Sequence, residues 1–335
     1  MIVLIAIQSC GQQSEEQYIP EDLAALKDYA AQKENIRSVL VSQHDKTIAN
    51  WYFKSFDRDS LEHIRSGTKS VMSLLIGIAI DRGIIGSVED QITTYLDDVA
   101  SDKQDMTIRH LLTMTSGVPW EEGVGYNDWN RMIDSGNPYR YWMDRPRKHE
   151  VGEKWAYSSG DTHILSVILT RASGISTLDF AEQYLFGPLG IRRVLWQKFP
   201  DGYYAGASRL ALKPKDMIKI GQLCENLGIY DGKRVVSESY IRQSTGIQFE
   251  FMEKGNVREG YGFCWWAVEL DDKRAYMALG YGGQAIAVIP SQQLVVAVTH
   301  KWKLGGHQAA AQQKSAQDVA VAAWAWARQG PLPIH

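Results

Sequence analysis

Ser66 and Lys69 stand three residues apart in Arg65-Ser-Gly-Thr-Lys-Ser-Val-Met-Ser-Leu-Leu-Ile-Gly-Ile-Ala-Ile80, a hydroxyl and an amine in front of an apolar run. Side chains at i and i+3 of a helix are neighbours, so the Lys69 nitrogen can reach the Ser66 hydroxyl and activate it as a nucleophile. The run behind them is apolar nearly all round, which places the helix in a core rather than on a surface. Ser66 then stands at the helix N-terminus, where backbone N–H groups and the dipole favour negative charge. The pattern alone is weak. A chain of this composition gives about one Ser-x-x-Lys by chance, and a buried helix with an ordinary polar first turn reads the same way.

Two further stretches carry chemistry. In Gly152-Glu-Lys-Trp-Ala-Tyr157-Ser158-Ser159-Gly160 a phenol lies on a loop just ahead of a helix, placed to face a cleft. In Leu279-Gly-Tyr281-Gly-Gly283-Gln284-Ala-Ile-Ala-Val-Ile-Pro290 glycines open a strand. Glycine there allows close approach of a ligand, and outward N–H groups of such a strand can stabilise an oxyanion. Other hydrolase designs fit less well. There is no Gly-x-Ser-x-Gly elbow, and the eight histidines are scattered, with His110 and His163 reading as polar residues on helices. Cys10, Cys224 and Cys264 form no Cys-x-x-Cys pair and there is no His-Glu-x-x-His, so no zinc site is expected.

Taken together, Ser66-Gly-Thr-Lys69, Tyr157-Ser-Ser159 and Tyr281-Gly-Gly283 resemble the three motifs of the serine β-lactamase and penicillin-binding DD-peptidase superfamily. The likeness is to its class C-like branch, with carboxylesterases and the 6-aminohexanoate-dimer hydrolase. It runs over nearly the whole chain, through Thr107-Ile-Arg-His-Leu-Leu-Thr-Met-Thr-Ser-Gly117, the Gly152–Ser158 approach, Pro214–Gly221 and Tyr230–Val236.

The resemblance implies an α+β fold and acyl transfer through a covalent acyl-enzyme, without cofactor or metal. Ser66 attacks the carbonyl, Lys69 and Tyr157 move its proton, and the N–H groups of Ser66 and Gln284 hold the oxyanion. Either Lys69 or Tyr157 serves as the base. Ser159, Tyr281, Gly283 and Gln284 are the implied substrate-binding positions. Two departures bear on the substrate, an ester, amide or peptide-like small molecule. Ser159 replaces the asparagine of β-lactamases, and Tyr281 replaces a Lys or His that helps hold a carboxylate. A phenol offers one neutral hydrogen bond and no ion pair, so anionic substrates are expected to weaken roughly tenfold unless a cation such as Arg145 or Lys301 supplies the charge. Trp120, Trp129, Trp142 and Trp155 are expected to line the cleft and favour apolar groups. The expectation is an esterase or linear-amide hydrolase. The alternatives are a weak β-lactamase or DD-peptidase, and a non-catalytic protein binding peptidoglycan fragments.

The elements that must position these groups read as follows. A helix from about Pro20 to Lys33 precedes two strands, Ile36–Ser42 and Thr47–Phe53, joined by a polar turn. Helical periodicity then dominates from Gly67 to about Ile191, with a short helix at Thr107–Met114 capped by Thr107 and another from Asp161 to Ala172 stopped near Gly174. The stretch from Trp120 to Trp155 is polar, aromatic and poorly periodic, which predicts long loops. A helix from Pro214 to Leu227 follows, then strands at Tyr261–Val268, Arg274–Leu279, Gln284–Ile289 and Leu294–Thr299, then an Ala-rich helix from Gln308 to Arg328. Short turns imply an antiparallel sheet flanked by the terminal helices. Residues 18–65 and 201–335 are expected to form this sheet domain, and 66–200 a mainly helical inserted domain, with the site at their interface.

Composition excludes little else. A hydrophobic share of 44%, a charged share of 22% and a net charge of −3 describe a globular protein with no bias toward nucleic acid. Eleven Trp and sixteen Tyr suit an aromatic cleft. At the front, Ile2-Val-Leu-Ile-Ala-Ile-Gln-Ser-Cys10 followed by a polar tether to Gln17 resembles a bacterial lipoprotein cleavage site, although no basic segment precedes the apolar run. That resemblance implies lipidation at Cys10 and export, to the periplasm or anchored at the envelope; a chain without a signal would be cytoplasmic. Oligomeric state is not legible.

Overall fold

Residues from the two ends of the chain meet in one sheet, because Ile36–Gln43 pairs antiparallel with Leu294–His300. The computed structural model describes residues 20–328 apart from Val124, Asp271, Asp272 and Leu304, so Cys10 and its flanks lie outside the described residues. Eight antiparallel strands run from edge to edge in the order Lys46–Tyr52, Ile36–Gln43, Leu294–His300, Gln284–Ile289, Lys273–Gly280, Trp266–Leu270, Val257–Tyr261 and Phe249–Lys254.

Strand period 2 divides the core. Ala285, Ala287 and Ile289 join one apolar cluster with Leu26, Ala30 and the residues Ala316 to Ala327 of the last helix, Gly306–Ala327. Ile286 and Val288 join the other, with the helices Gly67–Asp81, Ser159–Ser173 and Pro214–Glu225. The two terminal helices therefore cover one face of the sheet, and the helical region together with Pro214–Glu225 covers the other. The fold is the mixed α/β architecture that the resemblance implies.

Three segments depart from the sequence reading. The run Tyr261–Val268 is not one strand: it breaks between Val257–Tyr261 and Trp266–Leu270, where Cys264 takes a positive φ of 59° and its N–H bonds to Leu112 O at 2.9 Å. The edge hairpin partner Phe249–Lys254 was not anticipated. The stretch Trp120–Trp155 holds two short helices, Asp128–Asp134 and Pro138–Met143, opened by Asn127 and Asn137, whose side chains accept from the backbone of the first turn.

Candidate active site

The helix Gly67–Asp81 is buried along its length from Gly67 to Ala79, as its apolar circumference requires. Its first turn is pinned by side chains. Thr68 Oγ1 donates to Arg65 O at 2.7 Å, and Ser70 Oγ to Cys264 O at 2.7 Å. Ser66 caps this helix with helical backbone angles and stays partly exposed. Its N–H makes no hydrogen bond among the described residues, which leaves a donor beside the nucleophile.

Lys69 is almost fully buried, and its Nζ reaches three oxygens: Ser66 Oγ at 3.3 Å, Ser159 Oγ at 2.9 Å and Ala207 O at 3.2 Å. Three acceptors match the three N–H donors of an ammonium. The Ser159 hydroxyl thus serves Lys69. Tyr157 lies beside the pair, with Lys69 Nζ 4.6 Å from its ring centroid. Burial pushes the Tyr157 phenol up, against the pull of the Lys69 charge, while Glu122 adds to the rise; hydrogen bonding from Ser66 and Lys69 lowers it. Burial prevails, so the resting phenol is neutral.

The loop that carries Tyr157 is fixed from three directions. Ala156 N–H donates to Met114 O at 3.0 Å, and Ser159 N–H to Glu122 Oε1 at 2.6 Å. Ser158 caps the next helix and donates to Asp161 Oδ1 at 2.8 Å. Asp161 is fully buried and also accepts from Ser116 Oγ at 3.0 Å and Trp142 Nε1 at 2.9 Å. Burial still pushes its carboxyl up to about 7, and Glu122 adds to the rise. Sequence reasoning missed both carboxylates. Asp161 carried a signal, the Ser158-x-x-Asp161 spacing of a helix start; Glu122 carried none, since only the tertiary fold brings its loop to Ser159.

The third motif closes the site from the sheet. A Cβ on Gly280 would lie 2.1 Å from Ile64 O and 3.0 Å from Arg65 Cβ, so only glycine lets this strand run against the segment ahead of Ser66. Gly283 has φ of 84°, and a Cβ there would meet Gln312 O at 2.6 Å. Gln284 is buried, with its amide donating to His300 O at 2.8 Å. Tyr281 is exposed at the rim, its ring against the Arg65 guanidinium.

Of the four tryptophans expected over the cleft, Trp155 alone packs against Tyr157, with ring centroids 6.2 Å apart. Trp142 is fully buried and, with Trp120, packs against Gly160; Trp129 lies against Phe199. Two residues outside the expectation complete the wall: Trp266 stacks on Tyr157 at 5.7 Å, and Phe251 meets Trp155 edge-on at 4.6 Å. His163 bonds Asp201, and His110 Nδ1 accepts from Thr107 N–H, both structural roles. Cys224 and Cys264 are buried free thiols.

Residues 30–320 match the family model named Beta-lactamase. The 6-aminohexanoate-dimer hydrolase of Paenarthrobacter ureafaciens is 22% identical over 286 residues, 78% of this chain and 72% of that protein. Among solved structures, the octameric penicillin-binding protein homologue from Pyrococcus abyssi superposes with a TM-score of 0.69 at 18% identity, covering 88% of this chain and 77% of its own. EstCE1, a hydrolase with promiscuous acyltransferase activity, does so at 0.70 and 15% identity, covering 89% and 98%.

Proposed function

The chain belongs to the Beta-lactamase family, and from that premise we propose a serine hydrolase that cleaves esters or linear amides through an acyl-enzyme on Ser66. The observation that carries this reading is the Lys69 contact set: a buried nitrogen touching the Ser66 hydroxyl, beside a neutral phenol. Ser66 Oγ attacks the carbonyl carbon, and its proton passes into the Lys69–Tyr157 pair. The negative oxygen settles between the N–H groups of Ser66 and Gln284. The pair then returns a proton to the departing alcohol or amine, and water repeats the sequence on the acyl-enzyme.

The substrate preference follows from the wall and from Ser159. Trp155, Tyr157, Trp266 and Phe251 offer an apolar surface to an acyl or alcohol group. The Ser159 hydroxyl is engaged with Lys69, and nothing at that position reaches out as an amide side chain does. A short p-nitrophenyl ester is therefore expected to be turned over with higher kcat/KM than nitrocefin; the reverse preference would defeat the substrate assignment. A fluorophosphonate probe should label the protein at Ser66 and leave Ser66→Ala unlabelled, whereas an unlabelled wild type would remove the hydrolase reading itself. The reading includes export with lipidation at Cys10, for which mass spectrometry of the native N-terminus is the test.

A further inference from the structure

Basic groups gather at the residue that precedes the nucleophile. The Arg65 guanidinium lies over the Trp302 ring at 4.6 Å and the Tyr281 ring at 5.6 Å. His63 meets the same Trp302 edge-on at 5.4 Å and feels Arg65, Arg209 and Lys303 as neighbouring charges. The backbone brings Arg209 alongside, since His63 pairs antiparallel with Ala211 and Ile64 N–H donates to Leu210 O at 3.0 Å, which sets the next residues, Arg65 and Arg209, against each other. No acidic residue is among these neighbours. Among the described residues neither Arg65 nor Arg209 forms an ion pair, and Arg209 bonds only the neutral amide of Gln197. Elsewhere the chain treats arginine differently: Arg140, Arg145, Arg147 and Arg171 each pair with an aspartate.

The unpaired state is costly as it stands. Both guanidiniums are partly buried, burial pushes each down from the ordinary arginine range, and Arg209 adds repulsion at Arg65. Arg65 Nε is buried with no partner at all. Its backbone is held at φ of 53°, a left-handed conformation disfavoured for a side chain of this kind. A planar guanidinium presents donors in a fork that matches a carboxylate, and an arriving anion would supply the missing counter-charge and satisfy Nε together.

We propose that Arg65 and Arg209 form a subsite for a carboxylate carried by the substrate, one residue from the nucleophile. The cation that Tyr281 lacks is then supplied from the Ser66 segment, with the Tyr281 and Trp302 rings as its walls. Arg145, bound to Asp128 at 3.0 Å, and Lys301, exposed beside Asn35, do not fill that role. The inference rests on the hydrolase reading and names its substrate class: carboxylate-bearing esters or linear amides rather than neutral ones.

The test separates binding from turnover. Glutarate is titrated calorimetrically into Ser66→Ala, with glutaramide as the uncharged match, and again into Ser66→Ala combined with Arg65→Met or Arg209→Met. In parallel, kcat/KM is compared for mono-p-nitrophenyl glutarate and 3-carboxyphenyl butyrate, with the carboxylate on the acyl and alcohol side respectively, against p-nitrophenyl butyrate. Glutarate should bind and glutaramide should not, and the preference for at least one carboxylated ester should fall tenfold or more in each arginine variant, with partial recovery in Arg65→Lys. Equal binding of glutarate and glutaramide, or a carboxylate preference unchanged in both variants, overturns the subsite. Failure of the hydrolase reading looks different, since glutarate would still bind while every ester stayed intact.

Discussion

At the scale of single residues, the site is a short proton path in a desolvated pocket. Lys69 contacts both Ser66 and Ser159, and its charge and the Tyr157 phenol act on each other. Groups that share one transfer are not additive. Lys69→Ala and Tyr157→Phe are each expected to lower kcat on a p-nitrophenyl ester by about 10² or more, with the double variant little worse than either; losses that multiply would show that the two act in separate steps. Ser66→Ala should abolish turnover and keep the fold, because its side chain caps no backbone N–H in the helix it opens. The pair Ser66 and Lys69 was legible in the sequence because helical spacing alone brings i and i+3 together. Tyr157 was legible only through the order of several motifs. Arg65 stood in plain view next to Ser66, but its lack of a counter-ion is a property of what the fold leaves out of its neighbourhood, and no spacing rule reports that.

At the scale of elements, the strand of the third motif must pass close to the nucleophile segment, and Gly280 sets that distance. Gly280→Ala would drive a methyl into Ile64 O and Arg65 Cβ. The strand and the Ser66 segment must then separate, and displacements of about an ångström can cost on the order of 10²-fold in rate. A fall in kcat/KM of tenfold or more is expected, beside a Gly305→Ala control whose new Cβ meets nothing within 4 Å; a variant with unchanged kinetics would detach this strand from catalysis. Such strands were readable where one or both faces are buried, as in Gln284–Ile289 and Leu294–His300, all of whose residues are buried. The hairpin Phe249–Lys254 and Val257–Tyr261 was not. It ends the sheet, most of its residues keep contact with water, and Glu250, Glu253, Lys254 and Arg258 interrupt any apolar alternation. Those charges are what an exposed edge needs to resist pairing with another chain, so the feature that protects the strand also hides it. The short helices at Asp128–Asp134 and Pro138–Met143 escaped for a related reason: each is under two turns, too short for a period of 3.6 to declare itself.

At the scale of the whole molecule, one buried carboxyl joins stability to pH. Asp161 sits in the helical core with three donors on Oδ1 and none on Oδ2, and its carboxyl is pushed up to about 7 from an ordinary 3.8, chiefly by burial. The folded state therefore holds this proton more tightly than the unfolded chain does. Below about pH 4 both states are protonated and the group is neutral in its effect; as pH rises toward 7 the unfolded state ionises first, and stability falls, by the order of a few kcal/mol once both are ionised. Glu225, also raised to about 7 by burial, acts with the same sign, while Asp59, lowered to about 2 by its lysine partners, acts with the opposite one. The wild-type profile mixes all three, so the informative quantity is a difference between two proteins. Asp161→Asn keeps an oxygen for the three donors and replaces the unpartnered Oδ2 with an amide that mimics the protonated acid. Its melting temperature should match the wild type below about pH 3.5 and exceed it increasingly as pH rises, by several degrees near pH 8. A variant that melts below the wild type at both ends of that range would mean that the ionised carboxylate is stabilising, and that Asp161 holds Ser158, Ser116 and Trp142 by its charge rather than at the expense of it.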